Sequence, residues 1–390
     1  MNQLPSRLKS IDVFRAITML LMIFVNDVSS VKGIPAWIEH VAANEDGLGF
    51  ADTVFPAFLF IVGLTLPFAI RNRIKKGDSF FNISIYIITR SVALLVMGFF
   101  HVNSEEYSSA AVLPQAVWII SITIAFFLIW LDYNPSMAKT KKYILMAGGI
   151  ALLLLMAFLY KGGTPAEPEG MRPLWWGILG IIGWAYLICA FVFLFTKGSL
   201  PLLLVVLILF MLVNITRHMG LLQLNLPVLG DASSVTLVMC GIVISGLYGQ
   251  LAGRGKDNYL WLLFIIIGLV LIIGGLIIRP FSGGISKIHS TPAWVFICAG
   301  ISVFIFTLMI WLVDSKGKQS WFNIIRPAGT STLTCYLIPY LLYSVYTLLH
   351  FHYPPFLNYG TGGIIRSMVV AILIILLVGV MEKKRLRLKI

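Results

Sequence analysis

The chain has 390 residues, of which 59% are apolar and only 12% are charged, whereas soluble globular proteins have roughly 45–50% and about 25%. A water-soluble fold has too little interior for so many apolar side chains, so the composition excludes a soluble globular domain. It equally excludes a disordered chain, a collagen and a coiled coil. The net charge of +13 does not indicate a nucleic-acid-binding protein, because the basic residues lie in short turns between apolar runs.

Twelve apolar segments follow one another along the chain, and most approach the roughly 20 residues that a helix needs to cross a bilayer. One of them, 200–214, is short enough to be a re-entrant or tilted piece, so we predict ten to twelve spans. Because few residues remain for loops, the sequence predicts an all-α, polytopic transmembrane helix bundle that forms a single integral-membrane domain over residues 1–390. The segments are 11–28, 51–70, 84–102, 113–131, 143–160, 174–196, 200–214, 233–251, 259–278, 292–313, 329–349 and 363–381.

The distribution of Lys and Arg predicts the orientation of the bundle, since cytoplasmic loops are enriched in these residues. If the N-terminus is cytoplasmic, twenty of the 29 basic residues lie on the cytoplasmic side, and Arg15 and Arg90 lie within the membrane. The sequence therefore predicts an even number of spans, with both termini in the cytoplasm. Seven basic residues are predicted on the outer side: Lys32, Lys161, Arg172, Arg217, Arg279, Lys287 and Arg366.

Charged residues within the first apolar segment need an explanation, because ionisable groups are costly in lipid and usually face a cavity or one another. Asp12 and Arg15 lie three residues apart, so they share one face of the predicted helix. Two interpretations fit this spacing. The pair is either a local ion pair near the cytoplasmic surface, or Arg15 faces an anionic ligand that enters from the cytoplasm.

The stretch 22–63 carries the most informative pattern. The first predicted helix ends at Asn26 and Asp27, an outer loop carries His40, and the second helix opens with Asp52. A carboxylate can orient an imidazole and stabilise its protonated form, so His40 and Asp52 are a candidate general base and its orienting partner. On spacing alone, a solvated loop histidine is the more common explanation.

Other histidines and the cysteines give weaker signals. His101, in GFFHVNSEE after the third segment, lies on the same predicted side and is the second candidate for a catalytic histidine. His350 and His352 have no carboxylate nearby, so they make a poor metal site, and we predict no metal. The four cysteines fall inside apolar runs without metal-ligand spacing, which predicts small buried side chains rather than disulfides: Cys189, Cys240, Cys298 and Cys335.

Several segments of the chain resemble one known family. RLKSIDVFRAITMLLMIFVND, the following EH and then GLGFADTVFPAFLFIVG resemble the family's R-L-x-S-x-D-x-F-R-G, V-N, loop histidine and D-x-V-F-P-x-F-x-F-I-x-G pattern. RPFSGGISKIHSTPAWVF and VDSKGKQSWFNIIRPAGTSTLTCY resemble a later N-K segment. The family is that of the heparan-α-glucosaminide N-acetyltransferases, which are polytopic membrane enzymes. WWGILGIIGWAYL resembles a bacterial branch related to amino-sugar utilisation, so we expect a bacterial inner-membrane protein.

The resemblance implies a reaction. It implies that acetyl passes from cytosolic acetyl-CoA, a co-substrate, across the membrane to the amine of a glucosamine-type acceptor. It also implies that His40 is the catalytic histidine, supported by Asp52, and that Asn26 lies near the thioester, where it could donate a hydrogen bond to the developing oxyanion. An imidazole suits this role because it titrates near neutral pH and can take a proton from an amine.

The resemblance and the phosphate charges of CoA together predict the residues that bind acetyl-CoA. Arg15 matches the arginine of the family's F-R pair and Lys287 matches the lysine of its N-K segment. Basic residues at the cytoplasmic mouth are the natural partners of the CoA phosphates, and there we place Arg71, Arg73 and Lys75 together with Arg15. Lys287 completes this predicted set through the resemblance alone. The chain departs from the family pattern at three positions: Ala16 for a glycine, Ala116 for an arginine and Ser286 for an asparagine.

An amino-sugar transporter or permease is the alternative function, since the span count and the intramembrane charges also fit a carrier. The set formed by Asn26, His40 and Asp52 favours the enzyme, because a carrier does not need it. The expected partners are acetyl-CoA, an amino-sugar or glycan acceptor and the lipid bilayer, without nucleic acid. The sequence is compatible with a homodimer and does not determine the oligomeric state.

Overall fold

The computed structural model describes residues 8–223, 228–252 and 257–390, and its regular secondary structure is almost entirely helical. The strands β1 (Gly162–Gly163) and β2 (Pro168–Glu169) form a two-residue antiparallel pair before α6. The α-helices are α1 Lys9–Val28, α2 Ala51–Lys75, α3 Phe80–Glu105, α4 Gln115–Trp130, α5 Lys139–Leu159, α6 Ile178–Phe195, α7 Leu200–His218, α8 Ser233–Ala252, α9 Asp257–Ile278, α10 Pro292–Met309, α11 Arg326–Thr330, α12 Thr332–Leu348 and α13 Gly360–Lys383. Single π or 3-10 turns occupy Arg279–Phe281, Ile310–Ser315, Lys318–Phe322 and Pro355–Leu357.

Each of the twelve predicted segments coincides with a helix in the described ranges, which confirms an all-α polytopic bundle. Nine of these helices are long and apolar enough to cross a bilayer, and α4 and α12 are apolar but shorter. The remaining helix, α1, has 20 residues and carries Lys9, Asp12 and Arg15 near its start and Asp27 near its end. The segment 200–214 forms part of the 19-residue helix α7, so it is a full helix rather than a short re-entrant piece.

The bundle has a protein-buried centre and a lipid-facing rim. In α2, α8 and α10, 67%, 72% and 61% of the most apolar window is buried inside the protein, whereas the share is 17% in each of α5, α7 and α9. Transmembrane helices lack a hydrophobic driving force between them, so the central ones rely on close packing. Gly63 of α2 and Gly241 of α8 provide it: a Cβ on Gly63 would lie 1.9 Å from the carbonyl oxygen of Val238, and one on Gly241 would lie 2.1 Å from that of Phe60.

The loops divide between two ends of the bundle. At one end, which we call the His40 end, the amide of Lys32 donates to the carbonyl oxygen of Asn358 at 3.1 Å, and the amide of Ser108 donates to that of Lys161 at 2.9 Å. The first bond joins the loops after α1 and α12, and the second joins the loops after α3 and α5. The loop that carries His40 therefore lies with the other loops that the sequence places on the outer side.

The opposite end, which we call the terminal end, holds the start of α1 and the C-terminal residues. Lys9 in the first turn of α1 and Glu382 in the last turn of α13 line one cavity of about 320 Å³. The amide of Asp132 donates to the carbonyl oxygen of Arg387 at 2.8 Å. The two ends of the described chain thus lie on the same side, as an even number of spans requires. That this side is cytoplasmic stays a prediction from charge.

Several predicted positions differ from the structure or fall outside it. His101 does not follow the third helix but lies within α3, where it is 6% exposed. Arg366 does not lie in an outer loop but is buried within α13, because it pairs with a buried carboxylate described below. Of the predicted cytoplasmic basic residues, Arg7, Arg254 and Lys256 lie outside the described residues. The four cysteines are free and buried, as predicted.

Candidate functional site

His40 and Asp52 form a direct pair at the start of α2. The Nδ1 atom of His40 lies 2.7 Å from Oδ1 of Asp52. The other carboxylate oxygen, Oδ2, accepts hydrogen bonds from the backbone amides of Val41 and Gly49, each at 3.1 Å. The Asp52 side chain is 2% exposed and the His40 side chain 38% exposed. A buried carboxylate therefore holds an imidazole that solvent and ligands can reach.

The partners of Asp52 determine which nitrogen of a neutral His40 carries the proton. An ionised carboxylate accepts hydrogen bonds only, and Asp52 lies in the first turn of α2, where the helix dipole favours a negative charge. The Nδ1 atom of His40 must then carry the proton that is donated to Oδ1. This leaves Nε2 as the unprotonated nitrogen of the neutral ring, which is the arrangement that a general base needs.

Close contacts within the loop before α2 give the carboxylate its two amide donors. A Cβ on Gly49 would lie 1.9 Å from the carbonyl oxygen of Glu39 and 3.3 Å from Oδ2 of Asp52. Only glycine permits this approach of two backbone segments. On the other side, Nε1 of Trp294 in α10 donates to the backbone carbonyl oxygen of Asp52 at 3.1 Å. The sequence indicated neither contact, because both depend on tertiary packing.

Asp46 ties the same loop to the segment before α10. Its carboxylate accepts the amide of Ile285 at 2.6 Å and pairs with Nε of Arg279 at 2.9 Å. The Ile285 amide, and after it the Arg279 guanidinium, lower the pKa of Asp46, although partial burial opposes the shift. Gly47 donates its amide to the carbonyl oxygen of Ile285 at 3.1 Å. These bonds join the loop before α2 to the segment before α10, which lies far away in sequence.

Lys287 joins the pair from the segment before α10. Its Nζ atom lies 3.2 Å from Nδ1 and 3.3 Å from Nε2 of His40, although the two residues are 247 positions apart. Burial lowers the pKa of Lys287, and the nearby Asp52 charge opposes this shift. Lys287 therefore lies within hydrogen-bonding distance of the imidazole that Asp52 orients.

Asn26, the third predicted catalytic residue, lies apart from this pair. It is exposed near the end of α1 and lines a cavity of about 480 Å³ together with His101. Among the described contacts, none joins Asn26 to His40 or Asp52. The structure thus brings His40, Asp52 and Lys287 together and places Asn26 with the second-ranked histidine.

The five predicted acetyl-CoA-binding residues are divided between the two ends. Lys287 lies at His40, whereas Arg71, Arg73 and Lys75 occupy the last two turns of α2 at the terminal end. Arg73 pairs with Asp78 at 2.8 Å and stacks over the Tyr86 ring, with 3.8 Å from Cζ to the ring centroid. Lys75 is exposed there.

The two remaining arginines of that set also have partners in the protein. Arg15 donates from Nη1 to the carbonyl oxygen of Gly329 at 3.1 Å and lies 3.6 Å from Asp12, which is the local ion pair foreseen from their spacing. Arg71 lies 5.8 Å from the centroid of the Phe193 ring. The basic residues at the terminal end therefore face several different elements and do not form one cluster.

A buried ion pair beside Asn26 was missed by the sequence reasoning. Nη2 of Arg366 lies 3.0 Å from Oδ1 of Asp27, with side chains that are 6% and 3% exposed. Ser367 also donates to Oδ1, at 2.6 Å, and Tyr343 donates to Oδ2 at 2.7 Å. The network fixes the end of α1 against α12 and α13. The sequence showed only that the charged residue Arg366 lies close to an apolar segment, and Arg366 was therefore assigned to an outer loop.

Parts of the chain are similar to known proteins. The pattern of the family described as "Domain of unknown function (DUF5009)" matches residues 7–213. The chain is similar to the human protein named heparan-alpha-glucosaminide N-acetyltransferase, with 38% identity over 104 residues, which are 26% of this chain and 15% of the human protein. The mouse protein of the same name is 34% identical over 99 residues, or 25% of this chain and 14% of the mouse protein. The aligned segments thus span a small part of each relative.

Proposed function

The chain belongs to the DUF5009 family and is related to heparan-α-glucosaminide N-acetyltransferase, and on this premise we propose that it is an integral-membrane acetyltransferase. The donor is cytosolic acetyl-CoA and the acceptor is the amine of a glucosamine-type sugar on the side of the His40 end. The observation that supports this best is the bond between His40 and buried Asp52, which leaves an accessible nitrogen suited to deprotonate an amine.

The reaction requires a proton to leave the amine and a thioester bond to break. In the proposed step, Nε2 of His40 takes the proton as the amine nitrogen forms a bond to the acetyl carbon. The C–S bond then breaks, and the leaving CoA sulfur takes the proton from Nε2 of His40, which gives the free thiol and returns the imidazole to its neutral form. Asp52 stabilises the imidazolium that forms, and it holds Nδ1 at 2.7 Å throughout.

Two further residues take part in the proposal. Lys287, with its Nζ within 3.3 Å of the imidazole, places positive charge where negative charge develops on the thioester oxygen. Asn26 stays the predicted hydrogen-bond donor to that oxygen, a role that requires the thioester to reach the cavity that Asn26 lines. The nucleotide of CoA is proposed to bind at the terminal end, which carries Arg71 and Arg73 and is the predicted cytoplasmic side.

Release of the CoA thiol by the purified protein in lipid nanodiscs tests the function. We expect thiol release from acetyl-CoA that depends on glucosamine and falls at least ~10²-fold in His40→Ala, because a general base typically contributes 10²–10⁴-fold. His352→Ala is the matched control, since His352 is an exposed histidine at the same end that bonds only its own loop.

Two outcomes would count against the proposal. Equal losses in His40→Ala and His352→Ala would remove His40 from the reaction. If no amine supports thiol release, the amino-sugar transporter becomes the better hypothesis, and uptake of labelled glucosamine into proteoliposomes is the measurement that examines it.

A further inference from the structure

The amine of Lys287 lies where an acceptor amine has to approach the candidate base. Its Nζ atom is 3.3 Å from Nε2 of His40, the nitrogen that takes a proton in the proposed reaction. A general base needs the group that it deprotonates within hydrogen-bonding distance, and Lys287 meets that condition. Among the described contacts, no other amine reaches His40. The structure therefore pairs the candidate base with a primary amine of the protein itself.

A closed turn before α10 fixes the backbone of Lys287. The carbonyl oxygen of Lys287 accepts the amide of Ser290 at 3.0 Å. Around it, the amide of Thr291 donates to the carbonyl oxygen of Ser286 at 3.1 Å, and the amide of Ser286 donates to Oγ1 of Thr291 at 3.0 Å. Lys287 is also partly buried. Such a fixed position offsets part of the entropy cost of bringing two reacting groups together.

The surroundings of Lys287 also favour the uncharged amine. Burial lowers the pKa of Lys287, although the nearby charge of Asp52 opposes the shift. A lysine is nucleophilic in its neutral form, and desolvation is one way in which proteins produce that form. By contrast, Lys32 and Lys161 at the same end are exposed and make no described contact with a histidine. Lys287 therefore resembles an acceptor amine in protonation as well as in position.

We propose that Lys287 is a self-acetylation site, to which acetyl-CoA transfers its acetyl group when no acceptor amine is present. This step rests on the proposed function, because it uses the same donor and the same base. Nζ of the neutral lysine forms a bond to the acetyl carbon while Nε2 of His40 takes the proton that this nitrogen loses. The C–S bond breaks, and the leaving CoA sulfur takes that proton from Nε2. The products are an amide on Lys287 and the free thiol.

Acetylation of Lys287 closes the site to further turnover. An amide is far less reactive towards amines than a thioester, so the acetyl group stays on Nζ. The modification also removes the charge of the lysine, which is the positive charge that Lys287 places near the thioester oxygen in the proposed reaction. The acetylated protein is therefore an inactive form, and it accumulates when acetyl-CoA is present without an acceptor.

Incubation of the purified protein in lipid nanodiscs with isotopically labelled acetyl-CoA, without any acceptor amine, tests the proposal. Peptide mass spectrometry should find acetyl on Lys287, formed at least ~10²-fold faster than on Lys32 or Lys161, because those lysines lack a general base. The label should survive hydroxylamine, which removes acetyl from an imidazole but not from a lysine. Acetyl transfer to glucosamine added afterwards should fall in proportion to the acetylated fraction of Lys287.

Three variants separate base-assisted transfer from the chemical acetylation of any neutral lysine. His40→Ala should slow the acetylation of Lys287 at least ~10²-fold and leave the slow acetylation of the exposed lysines unchanged. Asp52→Asn keeps the imidazole but places its proton on Nε2, so it should slow the acetylation of Lys287 as well. His352→Ala, the matched control at the same end, should leave the rate unchanged. An unfolding temperature close to that of the wild type shows that each variant is folded.

The outcomes separate this inference from the proposed function. Acetylation of Lys287 that needs His40, without thiol release that depends on glucosamine, supports self-acetylation and contradicts the proposed acceptor. Thiol release that needs glucosamine and His40, while Lys287 is acetylated no faster than the exposed lysines, supports the acetyltransferase and overturns self-acetylation. Acetyl that is recovered only on an imidazole, or acetylation of Lys287 that is as fast in His40→Ala as in the wild type, overturns it too.

Discussion

Replacement of Asp52 by asparagine removes the charge behind His40 with little change in shape. Both carboxylate oxygens are in use: Oδ1 binds Nδ1 of His40 at 2.7 Å, and Oδ2 accepts two backbone amides at 3.1 Å. An asparagine offers one oxygen only. If that oxygen keeps the two amides, the NH₂ group faces Nδ1 and forces the imidazole proton onto Nε2. The nitrogen that accepts the proton of the amine in the proposed reaction is then already protonated.

The expected loss is large in activity and moderate in stability. The same wrong-tautomer substitution in a serine-protease triad lowers kcat about 10⁴-fold. We expect kcat/KM for acetyl transfer by Asp52→Asn to fall ~10²–10⁴-fold, which corresponds to about 3–5 kcal/mol of transition-state stabilisation. Because the side chain is only 2% exposed, water replaces little of the lost interaction. The free energy of unfolding should therefore fall by about 1.5–3 kcal/mol, the contribution of a hydrogen bond to a charged group.

The assay measures thiol release from acetyl-CoA at several glucosamine concentrations, together with the unfolding temperature in detergent. Asp46→Asn is the matched control, because Asp46 is a carboxylate of the same loop that accepts a backbone amide and makes no described contact with His40. Asp46→Asn should keep kcat within a few-fold. Normal turnover in Asp52→Asn, or an equal loss in Asp46→Asn, would refute the argument from the tautomer of His40.

Gly49→Ala should lower turnover ~10²-fold, because its Cβ would lie 1.9 Å from a carbonyl oxygen of the same loop and a 1 Å misplacement of a catalytic group costs about that much. Gly47→Ala, whose Cβ would meet its nearest contacts at 3.5 Å or more, should behave as wild type. Equal turnover in the two variants would contradict this prediction. The lowered pKa of Asp46 means that its folded form stays ionised below the unfolded value near 3.9. The stabilisation from ionised Asp46 is therefore complete above the unfolded pKa and is lost as pH falls through the folded pKa. The drop in unfolding temperature on acidification should be smaller in Asp46→Asn than in the wild type. An equal drop in both would argue against this account. Arg366→Met should lower the free energy of unfolding, measured by denaturation, by about 3–5 kcal/mol, because it leaves Asp27 buried without its cation. The double variant with Asp27→Asn should recover part of this loss. A loss below about 1 kcal/mol in the single variant would contradict the pairing.

The helices and the order of the candidate residues could be predicted from the sequence. Apolar runs of membrane-spanning length predict helices directly, because lipid leaves the backbone no other way to satisfy its hydrogen bonds. His40 and Asp52 are separated by only 12 positions. His40 lies in the loop after α1, and Asp52 lies in the first turn of α2, where this loop ends. Local order was therefore enough to suggest that they meet, and the structure confirms that contact.

Contacts over long sequence separations could not be predicted in this way. Lys287 was grouped with the predicted acetyl-CoA-binding residues because it matches the lysine of the family's N-K segment, yet it lies 247 positions from His40 and contacts it. Arg366 was assigned to a loop because a charge in lipid is costly, but its partner Asp27, 339 positions away, compensates that charge inside the bundle. In both cases the spatial neighbour sets the position of the side chain, and composition and spacing do not reveal that neighbour.

The bonds around Asp52 also limit how the bundle can move. The Trp294 indole of α10 holds the backbone of Asp52 at 3.1 Å, and Lys287, just before α10, holds the imidazole that Asp52 orients. A displacement of α10 relative to α2 would strain both contacts together, so we expect these two helices and the His40 loop to move as one unit. A hinge that admits substrate must then run outside this unit. Rocking of one half against the other, as in carriers, has to leave α2 and α10 in the same half.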